Sequence, residues 1–195
     1  MTSLTRAASL RALASLRHEQ IVVPTMTALA GWHAIQQSDL DMPCVGAMGS
    51  ASSMALGLAL ARPERQVWVL DGDGSLLMQL GSLATIAEAA PPNLYHFVFH
   101  NGVYVFSGDQ KIPGGSRIDF ALMAKAAGYS KSFTFDDAES FVTTLDDVLA
   151  QPGPVLVQLK LDQSVDDGLP VRDIPLDPGE RGRRLRQLLA STRAG

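Results

Sequence analysis

The run Leu70-Asp71-Gly72-Asp73-Gly74-Ser75 is answered by Asn101, 28 residues beyond Asp73. A carboxylate and an amide oxygen so placed suit a small, hard divalent cation. Mg2+ prefers six oxygen ligands and bridges a diphosphate through few protein groups. Asp73 offers a carboxylate oxygen, Asn101 an amide oxygen and Val103 a backbone carbonyl, and two diphosphate oxygens and a water complete an octahedron. Gly72 and Gly74 let the backbone approach phosphates closely. Ser75 stands where a helix would begin, so its N–H and hydroxyl can face an anion. Leu76, Leu77, Leu80, Leu83 and Ile86 recur at helical spacing, so the motif reads as strand, tight turn and helix and not as a hairpin. An EF-hand loop is excluded, because its sixth position is Leu76 where Gly is needed and its twelfth is Ser82 where Glu is needed.

The elements that must position these residues alternate along the chain. Helices are expected at about 3–18, 28–37, 49–61, 76–89, 119–127, 137–150 and 181–191. Strands are expected at 20–23, 43–46, 66–71, 94–100, 130–134 and 155–161. Residues 102–118 show no period and hold four glycines, so they read as a loop. Nearly continuous apolar strands alternating with helices predict an α/β fold: a single doubly wound domain over residues 1–195 with a mostly parallel sheet. About 162–195 form a polar C-terminal extension with a short helix. In such sheets ligands bind beyond the carboxyl ends of the strands, where Asp73 and Asn101 both fall. The pair Asp136-Asp137 reads as a helix N-cap.

Composition narrows the classes. The net charge of −4 and pI of about 5.5 argue against a nucleic-acid or anionic-membrane surface. The single cysteine, Cys44, leaves no internal disulfide or cysteine-rich metal site and suits a reducing, cytoplasmic setting. No apolar run is long enough to span a bilayer. Residues 1–18 carry Arg6, Arg11 and Arg17 and no acid before position 19, a composition shared with transit peptides. Leu4, Ala8, Leu10, Leu13 and Leu16 instead mark a first amphipathic helix leading into Ile21-Val22-Val23.

A second segment, Gly46-Ala47-Met48-Gly49-Ser50-Ala51, lies upstream and continues as a small-residue helix. Together with Leu70–Ser75 and the Leu-Leu-Met-Gln-Leu-Gly that follows, it resembles the diphosphate-binding domain of the phosphonopyruvate and sulfopyruvate decarboxylases. The likeness runs from about residue 20 to 160 and is dense over 46–110. The resemblance implies a thiamine-diphosphate site with Mg2+ on Asp73, Asn101 and the Val103 carbonyl. Met48 would be the apolar wedge under the cofactor, and the Gly46 carbonyl would accept a hydrogen bond from its amino group. Thr25, Thr27, Gly72, Gly74 and Ser75 would hold the diphosphate, with Tyr104 beside it. Gln110 and His100 are the further candidates for catalysis, and the loop 102–118 is the natural lid.

The resemblance also implies a missing half. Enzymes of this kind join two related domains, and the other binds the pyrimidine and supplies an activating glutamate. Glu19, Glu64, Glu88, Glu139 and Glu180 all sit at surface-like positions, so a partner subunit is expected, as in the split sulfopyruvate decarboxylases, in an α2β2 or larger assembly. The implied reaction decarboxylates a small 2-oxo acid to an aldehyde. Two departures bear on the substrate. Val105-Phe106 stands where the family has small polar residues, and Leu169-Pro170-Val171 stands where it favours Arg-Pro-Thr. Lys111 or Arg117 either replaces the lost charge or is simply solvated. A two-subunit carboligase acting on a less polar 2-oxo acid, and a non-catalytic regulatory subunit, are the alternatives.

Overall fold

The computed structural model describes residues 2–171 and 177–191. Five strands, β1 (Ile21–Pro24), β2 (Val67–Gly72), β3 (Leu94–His100), β6 (Lys131–Phe135) and β7 (Val155–Lys160), form one parallel sheet in the order β1-β2-β3-β7-β6. Two short strands, β4 (Val103–Tyr104) and β5 (Gln110–Lys111), form a separate antiparallel hairpin.

The sheet is covered on both faces, because successive strand residues point to opposite sides. Val67 and Val69 enter one core with α3 (Ala51–Ala61), α5 (Ser82–Ala89) and α6 (Phe120–Ala127). Trp68 and Leu70 enter the other with α1 (Arg6–Ser15), α2 (Met26–Ile35) and α7 (Ala138–Leu149). Leu185 of the C-terminal α8 (Pro178–Ser191) adds to the first core. This is the doubly wound α/β arrangement that the alternating pattern implies. Leu4, Leu10 and Leu13 are fully buried against the sheet as the first amphipathic segment. Asp137 caps α7 by accepting from the Ser140 N–H at 3.0 Å.

Three local expectations are corrected. Residues 43–46 form no strand. A single isolated parallel bridge occurs there, Thr25 with Cys44, and another, Val22 with Asp41, lies just before it. The helix expected over 76–89 is two helices, α4 (Asp73–Met78) and α5, separated at Gln79–Gly81. Glycine at 81 weakens helix continuity there, while the leucine period runs on through the break. The 102–118 loop is partly ordered by the β4–β5 hairpin and a 3-10 turn at Val105–Ser107.

Candidate functional site

The carboxyl ends of β1, β2 and β3 lie side by side, and the chain leaves each through a different segment of the site. After β2, Gly72 leads directly into α4, whose first residue is Asp73. Asp73 is 2 % exposed. Its two oxygens accept from the backbone N–H groups of Gly74 at 2.7 Å and Gly102 at 2.6 Å. The second bond ties the end of β2 to the end of β3, where the Asn101 amide oxygen accepts from Val103 N–H at 3.1 Å. Asp73, Asn101 and Val103 therefore line one cleft, although 28 residues separate the first two.

The loop before α3 joins the same place. Gly49 N–H donates to the Ser75 hydroxyl at 2.9 Å. Gly49 has φ of +85°, and a Cβ there would overlap the Gln79 side chain, so glycine is required on both grounds. Met48, half-buried, is thereby carried into the cleft. Gly46 also adopts a left-handed backbone, at φ +77°, on the exposed side of this loop. Tyr104 closes the opposite wall. Its ring lies where a Cβ on Gly74 would stand.

The residues singled out from sequence divide into groups. Thr27, Met48, Gly72, Asp73, Gly74, Ser75, Asn101, Val103 and Tyr104 all line the cleft. Thr25 sits beneath it, 1 % exposed, its hydroxyl donating to the Cys44 carbonyl at 2.9 Å. Gln110 is exposed on β5, paired with Tyr104 across the hairpin. His100 is held from both sides: Gln158 lies 2.8 Å from Nδ1, and Nε2 lies 2.9 Å from the Gly115 carbonyl. Donation from Nε2 to that carbonyl leaves Nδ1 to accept from the Gln158 amide. His100 also comes within 3.9 Å of Asp73. Lys111 and Arg117 line a different, open groove of about 880 Å3 together with Lys160.

Sequence reasoning missed two residues here. Met26, between the two threonines, lines the cleft with φ of +51°, a left-handed conformation that costs a non-glycine residue roughly 1–2 kcal/mol. Gln158, which fixes the His100 ring, is a fully buried amide in an otherwise apolar strand. That break in the apolar run of Val-Leu-Val-Gln-Leu was a visible signal.

Comparison with known proteins shows the family. Residues 25–159 match the thiamine pyrophosphate enzyme, C-terminal TPP binding domain. The chain belongs to this thiamine pyrophosphate enzyme family. A phosphonopyruvate decarboxylase of Streptomyces viridochromogenes is 39 % identical over 98 % of this chain and 48 % of its own length. A sulfopyruvate decarboxylase subunit beta of Methanothermobacter thermautotrophicus is 37 % identical over 73 % of this chain and 72 % of its own. A solved chain from Mycobacterium smegmatis shares the fold at a TM-score of 0.68 and 20 % identity, covering 83 % of this chain and 32 % of that one. The chain spans about half or less of the length of two phosphonopyruvate decarboxylases it matches, 48 % and 39 %.

The family's cofactor and its metal can be tested against the residues present. Two hard oxygen donors from neighbouring strand ends converge on a glycine-lined turn, as a diphosphate-bound divalent ion requires. The cleft encloses only about 50 Å3 because Tyr104 and the 3-10 turn close over it, well below the volume of an ordinary cofactor site. The donor set fits a diphosphate-bound divalent ion.

Burial pushes the Asp73 carboxyl above its ordinary range, and the N–H groups of Gly102 and Gly74, with His100 nearby, pull it only part of the way back. A folded value above the unfolded one means that ionisation of Asp73 opposes folding. Its contribution is most favourable below about pH 3.8 and declines as pH rises through the folded value. A bound cation offsets that cost. Cofactor-free Asp73→Asn is therefore expected to melt higher than wild type at pH 7, by about 2–4 °C for each kcal/mol relieved. The gain should shrink toward the ordinary carboxylate range. Calorimetry at several pH values checks this, and a lower melting temperature at pH 7 would show that the bonds to Gly102 and Gly74 outweigh burial.

Proposed function

We propose that this chain is the diphosphate-binding domain of a thiamine-diphosphate- and Mg2+-dependent 2-oxo acid decarboxylase, completed by a second, pyrimidine-binding domain on a partner subunit. The carrying observation is the convergence of Asp73 and Asn101 with Met48 in one cleft at the carboxyl ends of β2 and β3. Residues 1–195 act in this reading as one domain with a C-terminal extension from about 162. The similarity to decarboxylases, one of them a beta subunit, supports both the reaction class and the split arrangement. The buried, unpaired Cys44 is in keeping with a cytoplasmic setting. Among the described residues no helix is long and apolar enough to cross a membrane.

In this reading the Asp73 carboxylate, the Asn101 amide oxygen and the Val103 carbonyl hold Mg2+. Gly72, Gly74, Ser75 and Thr27 take the diphosphate. The cofactor, when bound, supplies an electron sink for the pair left on the keto carbon as CO2 departs. Met48 sets the shape of the bound cofactor, with the Gly46 carbonyl accepting from its amino group. Tyr104 and the 3-10 turn would wall the metal and diphosphate on the side away from Met48. Gln158 and Gly115 hold the His100 ring beside Asp73, which makes His100 a positioning residue for the metal-binding carboxylate.

The test of this reading is Met48→Ala in the complex with the second domain. Shape control acts on the reacting part of the cofactor, while the diphosphate is gripped elsewhere. Turnover is expected to fall by about 10–100-fold, with cofactor affinity nearly unchanged, since misplacing reacting groups costs rate and not grip. Normal turnover would make Met48 a packing residue only.

A further inference from the structure

Arg6 is a charged residue where charge is costly. It is 8 % exposed and opens α1, the helix end that disfavours a cation. Asp167 supplies the counter-charge from the segment after β7. Arg6 Nε donates to one Asp167 oxygen at 2.9 Å, and a terminal nitrogen donates to the other at 2.8 Å. The same carboxylate accepts from Ala7 N–H at 3.1 Å, so it also provides the anion that the start of α1 favours. Three N–H groups of the guanidinium remain, and each meets a carbonyl: Leu169 at 2.8 Å, Pro170 at 3.2 Å and Thr27 at 2.9 Å. All five donors of the planar fork are thereby used.

These bonds bear on the cleft in two ways. Met26 has φ of +51°, and a strained backbone persists only where its surroundings over-determine it. On one side of Met26, Thr25 N–H donates to the Leu70 carbonyl at 3.0 Å and the Thr25 hydroxyl donates to the Cys44 carbonyl at 2.9 Å. On the other side, Arg6 holds the carbonyl of Thr27, which lines the cleft. The second effect is on the segment after β7. Asp162 N–H donates to the Leu4 carbonyl at 2.9 Å, and the bonds to Asp167, Leu169 and Pro170 fasten the rest of the segment to α1. That segment walls a hollow of about 210 Å3 shared with Thr27, Asn101 and Val105, three residues that also line the cleft.

We propose that Arg6 is a positioning residue for the diphosphate cleft: one guanidinium locks the Met26–Thr27 turn and clasps the segment carrying Asp167 against the rim. This assignment rests on the cofactor reading above, in which Thr27 takes the diphosphate. Arg6 acts through the Thr27 backbone and not by contact with the cofactor.

The experiment uses the complex with its second domain. Thiamine diphosphate is titrated calorimetrically at fixed Mg2+, and the cofactor-free complex is melted in parallel. Arg6→Met removes all five donors and leaves the Asp167 carboxylate without its counter-charge, so it is expected to melt lower than wild type. It should also bind thiamine diphosphate about tenfold more weakly, the scale seen when a group that orients a ligand is lost. Arg6→Met combined with Asp167→Asn removes both charges, so the double variant decides even where the single one fails to assemble. Its melting temperature should recover at least in part. The loss of affinity should persist, because nothing replaces the bond to the Thr27 carbonyl. At saturating cofactor its kcat should stay within about twofold of wild type, since the interaction lost is one of binding. Wild-type affinity in the double variant, or a loss carried by kcat with affinity intact, overturns the positioning role and leaves the cofactor reading standing. A wild-type complex that binds no thiamine diphosphate overturns the cofactor reading and this assignment with it.

Discussion

Asp73→Ala is expected to weaken Mg2+-dependent binding of thiamine diphosphate by more than about tenfold, the scale seen when a metal's immediate surroundings are altered. The carboxylate is the only charged ligand among the three protein oxygens assigned to the metal. Without it the cation is under-coordinated beside a diphosphate whose charge it must neutralise. The change has a second effect. Asp73 accepts from Gly102 N–H at 2.6 Å, the bond that joins the ends of β2 and β3. Its loss frees the segment that carries Asn101, so two ligands are disturbed by one substitution. Asn101→Ala removes a neutral ligand and should cost less. Isothermal titration of the complex at fixed Mg2+ checks both, and unchanged affinity in Asp73→Ala would end the metal assignment.

The second large effect concerns completeness of the site. These 195 residues alone, supplied with Mg2+ and thiamine diphosphate, are expected to release CO2 from 2-oxo acids at least about a hundredfold more slowly than the complex, the usual worth of a positioned acid–base group. Of the glutamates, Glu19 pairs with Arg65, Glu64 with Arg62 and Glu180 with Arg184. Glu88 and Glu139 lie on α5 and α7, and no glutamate lines the cleft. The rim also carries exposed apolar side chains. Phe106 lines the cleft, and Val165 and Val171, 45 % and 37 % exposed, line an adjoining hollow shared with Thr27 and Val105. These exposed apolar side chains lie among Arg6, Asp162, Asp166 and Asp167, and a site shared with a second domain across this face implies an interface of roughly 2,000 Å2 or more. Manometric or coupled assay of CO2 release, with and without the second domain, reads the outcome. Robust turnover by these residues alone would require an activating group within them.

Much of this was legible because it is local. Strand, glycine turn and helix around Asp73 are written in contiguous residues, and the apolar runs of β2, β3 and β7 state their burial directly. What was not legible depends on distant partners. Cys44 and its neighbours look strand-like, but their only ladder partners are Val22 and Thr25, which give single bridges. The leucine period through 76–86 is continuous, so nothing in it announces the break at Gln79–Gly81. The aperiodic stretch after Asn101 hides a hairpin closed through Gly108, whose φ of +77° a glycine alone adopts freely. The partner that holds the His100 ring, Gln158, lies 58 residues away. Thr25 and Thr27 seemed equivalent, yet their backbones put one hydroxyl under the cleft and left Met26, on a strained backbone, facing into it.

The central claim is that Asp73 and Asn101 hold a divalent cation against the cofactor's diphosphate. Mn2+ substituted for Mg2+ in the complex with thiamine diphosphate tests it most directly, read by electron paramagnetic resonance. The account predicts a bound Mn2+ signal with phosphorus couplings in the wild-type complex, and loss of that signal in Asp73→Ala. The same phosphorus-coupled signal persisting in Asp73→Ala would contradict it.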